Sequence, residues 1–125
     1  MVDIEQYLPE IAEVFRENDA PVDPLPEIKL DDSDQGDGPF VKTGHYDATE
    51  KVITIFTRNR QIKDILRTLS HELVHHSQNL SNPEMMEGLD TSGTLVTNQT
   101  LQSVEADAYL RGNIYFRMWT EKHTV

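Results

Sequence analysis

Apolar residues recur along this chain with two different periods, and the switches between them divide it into elements. In DIEQYLPEIAEVFREN, Ile4, Leu8, Ile11 and Phe15 stand at helical spacing, which predicts an N-terminal covering helix that starts near Pro9 or is kinked by it. The run APVDPLPEIKLDDSDQGDGP is rich in proline and aspartate, and within it only Glu27 to Leu30 reads as a short strand. PFVKTGHY and KVITIFT flank the polar turn DATE, and Val52 to Phe56 is dense in β-branched and aromatic residues, so a hairpin is predicted. From about Asn59 the period becomes helical and holds to Leu80, where Asn82 and Pro83 stop it. The polar, glycine-bearing stretch SNPEMMEGLDTSGTLVTN then predicts a long loop, followed by a last helix from about Asn98 to Lys122. The expected fold class is α+β, with a small sheet of about three strands packed against the long middle helix.

The middle helix carries LSHELVHHSQNL. Ile62, Ile65, Leu66, Leu69, Leu73 and Leu80 fall on one face at about 100° per residue. His71 and His75 project from the opposite side, away from the sheet, while His76 lies at the edge of the apolar stripe as a hydrogen-bonded, partly buried histidine. A spacing of four brings two imidazoles within one turn, close enough to share a cation. Glu72, rotated by about 100°, does not easily join the same coordination sphere and instead suits a base acting on a water at the ion. This is the H-E-x-x-H pattern, here His71, Glu72 and His75.

Two imidazoles hold zinc weakly, and a catalytic centre needs a third protein ligand. On the last helix Leu101, Ala108, Tyr109, Gly112, Phe116 and Trp119 share a face with Glu105 in its middle. An ionised carboxylate inside an apolar stripe is costly unless a cation or hydrogen bonds compensate, and the candidate cations are a metal on His71 and His75 or an arginine such as Arg67. Asp107, about 200° away with Arg111 and Arg117 on its side, reads as solvent-facing. Ala108 and Gly112 allow the two helices to approach closely. Tyr109, one turn beyond Glu105, is open to two readings, an oxyanion-stabilising hydroxyl or a core tyrosine.

Charge and composition narrow the partners. Eleven basic against twenty-two acidic residues give a net charge of −11, which disfavours nucleic acid and anionic membranes as partners. With no cysteine, thiolate ligands and disulfides are excluded. The opening MVDIEQYLPE has no basic or apolar leader pattern, and no run approaches a membrane span, so a cytoplasmic protein is expected. A chain of 125 residues suits a single domain over 1–125.

HELVHH followed about thirty residues later by VEADAYLRGN resembles a gluzincin, the zincin subclass whose zinc is held by two histidines of H-E-x-x-H and a glutamate on a following helix. The size and element order over Phe40 to Trp119 are similar to minimal single-domain gluzincins, including phage-encoded and microbial ones, and Glu105 to Ala108 also resembles the motif of antirepressor-type regulatory peptidases. The resemblance implies a zincin-like fold, Zn2+ on His71, His75 and Glu105, and Glu72 as general base and later general acid. It also implies a peptide or protein substrate, met in the host cytoplasm where the chain is phage-encoded. One departure stands out: many larger gluzincins carry an aspartate four residues after the third ligand to orient a histidine, and Tyr109 occupies that position here.

The expected activity is zinc-dependent peptide hydrolysis, with Tyr109 as a candidate catalytic hydroxyl. Two other readings stand beside it. One is a non-catalytic zinc-stabilised interaction domain, closed by His45 or His123 as fourth ligand, and the other a zinc amidase acting on a non-protein amide. Access to the site is expected to be narrowed by the loop from Ser81 to Thr97 and the acidic stretch from Asp31 to Asp37. A second stripe, Leu110, Ile114 and Met118, faces either the N-terminal helix or a second subunit, which leaves monomer and dimer open.

Overall fold

The computed structural model describes residues 4–36, 42–86 and 99–123. Helix α1 (Ile4–Glu17) buries Ile4, Ile11, Ala12, Val14 and Phe15, and runs through Pro9 without breaking. Its C-terminus closes with the Asn18 and Ala20 amides on the Phe15 carbonyl, and Asp19 takes a φ of 60° in the reversal.

Three short strands form one mixed sheet: β1 (Glu27–Asp31), β2 (Gly44–Asp47) and β3 (Val52–Phe56), in the order β1-β3-β2. The predicted hairpin is β2–β3, antiparallel with Gly44 opposite Ile55 and Asp47 opposite Val52. Its turn is held by the Asp47 Oδ1, which accepts from the Thr49 and Glu50 amides at 2.9 and 3.0 Å. The predicted strand at Glu27 pairs in parallel with the other side of β3, Glu27 opposite Val52 and Asp31 opposite Phe56. β3 is therefore central, and its Ile53 and Ile55 are fully buried.

Helix α2 (Ile62–Ser81) begins later than the periodicity predicts. Asn59 sits at φ 60° and the Arg60 amide bonds back to the Thr57 carbonyl, so the chain turns before it coils. Arg60 then braces the helix start, donating to the Thr43 and Phe56 carbonyls, to Asp64 and to Thr68 Oγ1. The one-sided apolar stripe is only part of the picture. From Ile65 to Asn79 every residue except Arg67 and His71 is buried, because α2 lies between the sheet on one side and α4 (Gln99–Lys122) on the other. A helix so enclosed must satisfy its polar side chains internally.

Helix α4 buries Val104, Ala108, Gly112, Tyr115, Phe116 and Trp119. Where it crosses α2 the backbones nearly touch. A Cβ on Gly112 would lie 3.0 Å from His71 Cα and 3.2 Å from its amide nitrogen, and Ser70 Oγ donates to the Gly112 carbonyl at 2.8 Å. Helix α1 closes the far end of α4, with Phe15 edge-on to Tyr115 at 4.6 Å and Tyr7 edge-on to Trp119 at 5.8 Å. Trp119, fully buried, donates its indole N–H to Glu10; burial of such a side chain contributes on the order of 3 kcal/mol. Met118 is half-buried against this core, whereas Leu110 and Ile114 remain exposed.

The predicted loop after α2 starts as a short helix, α3 (Pro83–Met86), with Asn82 Oδ1 capping the Met85 amide and Met86 buried. The rest of that predicted loop, 87–97, lies outside the described residues, as do Asp37 and Asn98. Among the described residues no helix is long and apolar enough to cross a membrane.

Candidate metal centre

The α2–α4 crossing determines the site. His71 and His75, one turn apart, turn their rings toward α4 with centroids 5.0 Å apart. Because Gly112 lets the helices close on His71, Glu105 two turns earlier on α4 reaches both rings. Its Oε1 lies 2.5 Å from His75 Nε2 and its Oε2 3.8 Å from His71 Nε2. The pair at 2.5 Å is not aligned as a hydrogen bond, and both His75 Nε2 and Glu105 Oε1 are buried with no hydrogen-bond partner. A lone pair and a carboxylate oxygen forced together away from water are each costly. A divalent cation between them and His71 answers both, and the nitrogen and oxygen donor set suits zinc.

Glu72 stands closer to this centre than its rotation on the helix predicts. One ligand atom each from His71, Glu72 and His75 lies within 4.8 Å of the others. Both acids are thus near the imidazoles, and their surroundings separate them. Glu105 bears directly on both rings, with its buried oxygen unpartnered. Glu72 lies beneath β2, where a Cβ on Gly44 would meet the Thr54 carbonyl oxygen and Thr68 Cγ2 at 2.8 Å and Glu72 Cγ at 3.5 Å. Burial raises the Glu72 carboxyl to about 7, helped by the Glu105 charge and opposed by His75. A carboxyl that exchanges its proton near neutrality fits proton transfer better than permanent ligation.

Burial, followed by the neighbouring His75, lowers His71 to about 4 against the pull of Glu105, so its ring is neutral at neutral pH, the ligating form. Burial also acts to lower His75, yet Glu105, Glu72 and Gln78 outweigh it and raise the ring.

Arg67 does not neutralise Glu105; it pairs with Asp64 at 3.8 Å and lies 5.3 Å over the Phe116 ring. Tyr109 is not a core tyrosine, being 62 % exposed with its ring against His71 at 4.6 Å, at the rim of the centre. His45 alternates with Gly44 and Tyr46 on β2 and so faces away from α2. His123 stacks on Trp119 at the end of α4, roughly 27 Å along the helix from Glu105. Neither closes the site. His76 is the hydrogen-bonded histidine expected, though fully rather than partly buried, with Nδ1 at 2.7 Å from the Tyr46 hydroxyl and Nε2 donating to the Val22 and Pro24 carbonyls.

Asp107 departs from the solvent-facing position that its wheel angle predicts. It is not turned to solvent but half-buried, held by Arg111 on both oxygens and by the Gln78 amide at 2.9 Å. Gln78 in turn meets His75 Nδ1 at 2.8 Å and the Val104 carbonyl at 3.0 Å. The only trace of this in the sequence is spacing, Gln78 three residues after His75 and Arg111 four after Asp107.

Comparison of the chain with protein-family models, with curated proteins and with solved structures finds no match.

Proposed function

We propose that this chain is a zinc-dependent metallopeptidase of the gluzincin type on a zincin-like fold, with His71, His75 and Glu105 as ligands and Glu72 as the proton carrier. The observation that carries the proposal is the buried, unpartnered contact of His75 Nε2 with Glu105 Oε1 beside His71. A bound zinc ion would supply Lewis acidity, acidifying a water and polarising a substrate carbonyl. Glu72, with its carboxyl raised to about 7, accepts the water's proton and returns it to the departing amine. Tyr109 stands exposed beside His71 with its phenol pushed up by burial, Glu105 and Glu72, so it stays protonated and can donate to a developing oxyanion. The substrate on this reading is a peptide or protein.

Cleavage of a peptide library by the zinc-loaded protein, read by mass spectrometry, tests the reading. Glu72→Gln is expected to keep its zinc and lose on the order of 10²- to 10⁴-fold in turnover. Cleavage by Glu72→Gln at the parental rate overturns the role given to Glu72.

A further inference from the structure

We infer that Gln78, backed by Asp107 and Arg111, is the positioning residue of the centre: one amide fixes which nitrogen of His75 faces Glu105 and ties the Glu105 segment of α4 to α2. The inference rests on the zinc reading above for its affinity arm alone.

The orientation of the Gln78 amide is over-determined. Its NH2 group has two hydrogens and two acceptors, the Val104 carbonyl at 3.0 Å and Asp107 Oδ2 at 2.9 Å. Flipping the amide would set its oxygen against a carbonyl and a carboxylate together, so Oε1 must face His75. Oε1 is only an acceptor, and at 2.8 Å the His75 Nδ1 must therefore carry the hydrogen and donate it. That leaves Nε2 as the nitrogen on Glu105 and the one that takes the cation.

Arg111 completes the chain. Its guanidinium grips both Asp107 oxygens, Nε on Oδ1 at 2.7 Å and Nη2 on Oδ2, holding an ionised carboxylate against the amide hydrogen. The carboxylate polarises the amide, the amide oxygen pulls on the Nδ1 hydrogen, and Nε2 becomes a better donor to a cation. Val104 immediately precedes Glu105, so the same side chain that orients one ligand also anchors the backbone next to the other. Gln78, Asp107 and Arg111 do not enter the ligand set; they act through His75 and the α4 backbone.

The test uses full-length protein with 15N-labelled histidine in alkaline buffer, metal-free, together with zinc competition against a chromophoric chelator. Wild type is expected to show a protonated His75 Nδ1. Gln78→Leu removes the acceptor, so Nε2–H on Glu105 takes over, Nδ1 becomes bare, and zinc affinity falls about 10- to 100-fold. Loss of the Nδ1 proton in Gln78→Leu is a change of tautomer that a merely structural role would not produce. Asp107→Asn, which keeps an acceptor for the amide, is expected to weaken zinc in the same direction but less, and decides the affinity arm should Gln78→Leu fail to fold. A bare Nδ1 in wild type, an Nδ1 proton retained in Gln78→Leu, or wild-type zinc affinity in Gln78→Leu or Asp107→Asn overturns the inference. If wild type takes up no zinc, the peptidase reading and the affinity arm fall, while the Nδ1 measurement still decides the positioning claim.

Discussion

His75 and His76 are neighbours on α2 and both are fully buried, yet they face opposite circumstances. His76 points toward the sheet and the Val22–Pro24 segment. Its Nε2–H is claimed by two backbone carbonyls, its Nδ1 accepts from Tyr46, and Asn79 bonds in turn to the Tyr46 hydroxyl and the Ala48 carbonyl. Nothing in that network is left over. His75 points toward α4, where Gln78 satisfies one nitrogen and the other abuts a carboxylate without an aligned bond. Burial alone does not mark a histidine as functional, since a satisfied one fastens three elements together. The mark is a buried donor set that the protein brings together and does not itself complete.

Separating the two histidines by mutation gives the largest expected contrast. His75→Ala is expected to weaken zinc by well over about 100-fold, beyond what loss of a supporting partner costs. His76→Ala should retain zinc affinity and instead lose about 3 kcal/mol of stability, from a cavity and from Tyr46, Val22 and Pro24 left with unmet bonds. Chemical denaturation alongside zinc titration reads both, and the comparison breaks if the two variants exchange phenotypes.

The helix crossing comes next in size. In Gly112→Ala the new methyl meets the His71 backbone at 3.0 Å rather than a yielding side-chain tip, so α2 and α4 must part. A loss of about 1–3 kcal/mol is expected, together with weaker zinc binding because Glu105 moves off the rings. Unchanged affinity with reduced stability would show that the close approach serves packing alone.

Acid–base linkage sharpens the contrast without altering the core. In the metal-free protein Glu72 is raised from 4.5 to about 7, so its favourable contribution is complete below pH 4.5 and is lost as pH rises toward 7. His71 is lowered from 6.5 to about 4, so its contribution is complete above pH 6.5 and is lost as pH falls toward 4. Between pH 4.5 and 6.5 the two slopes oppose each other and cancel. Glu72→Gln is therefore expected to shift the pH slope of stability upward in that window relative to wild type, and His71→Gln to shift it downward, each by at most about 1.4 kcal/mol per pH unit. Denaturation midpoints across the window measure the slopes, and equal slopes in both variants would contradict the assignments.

The smallest effect is expected at the rim. Tyr109→Phe should change stability by less than about 0.5 kcal/mol and leave zinc bound, since the ring is exposed and its contact with His71 survives. Only turnover should fall. An unchanged rate would remove Tyr109 from the chemistry.

Much of this arrangement was legible in the sequence because it depends on helical phase. His71, His75 and the inward Glu105 follow from residue spacing, and Ala108 with Gly112 announced the close approach that unites them. The α2 boundary was displaced because Asn59 accepts a left-handed conformation that periodicity does not register. The enclosure of α2 was only half visible: the apolar stripe marks one face, whereas the polar Ser70, Gln78 and Asn79 are each buried on a specific partner from a distant segment that periodicity does not register. Asp107 was misplaced for the same reason. Its wheel position is off the apolar stripe, yet Gln78 from α2 and Arg111 from its own helix draw it in. Parallel pairing of β1 with β3 likewise depends on tertiary assembly that local pattern does not encode.

X-ray absorption at the zinc edge, on protein purified without added metal, tests the centre most directly. About one zinc per chain is expected, with two imidazole nitrogens and the remaining positions oxygen at roughly 2.0–2.2 Å, and loss of bound zinc in Glu105→Ala. Protein that never retains zinc, or a spectrum with fewer than two imidazoles that is unaltered in Glu105→Ala, would contradict this expectation.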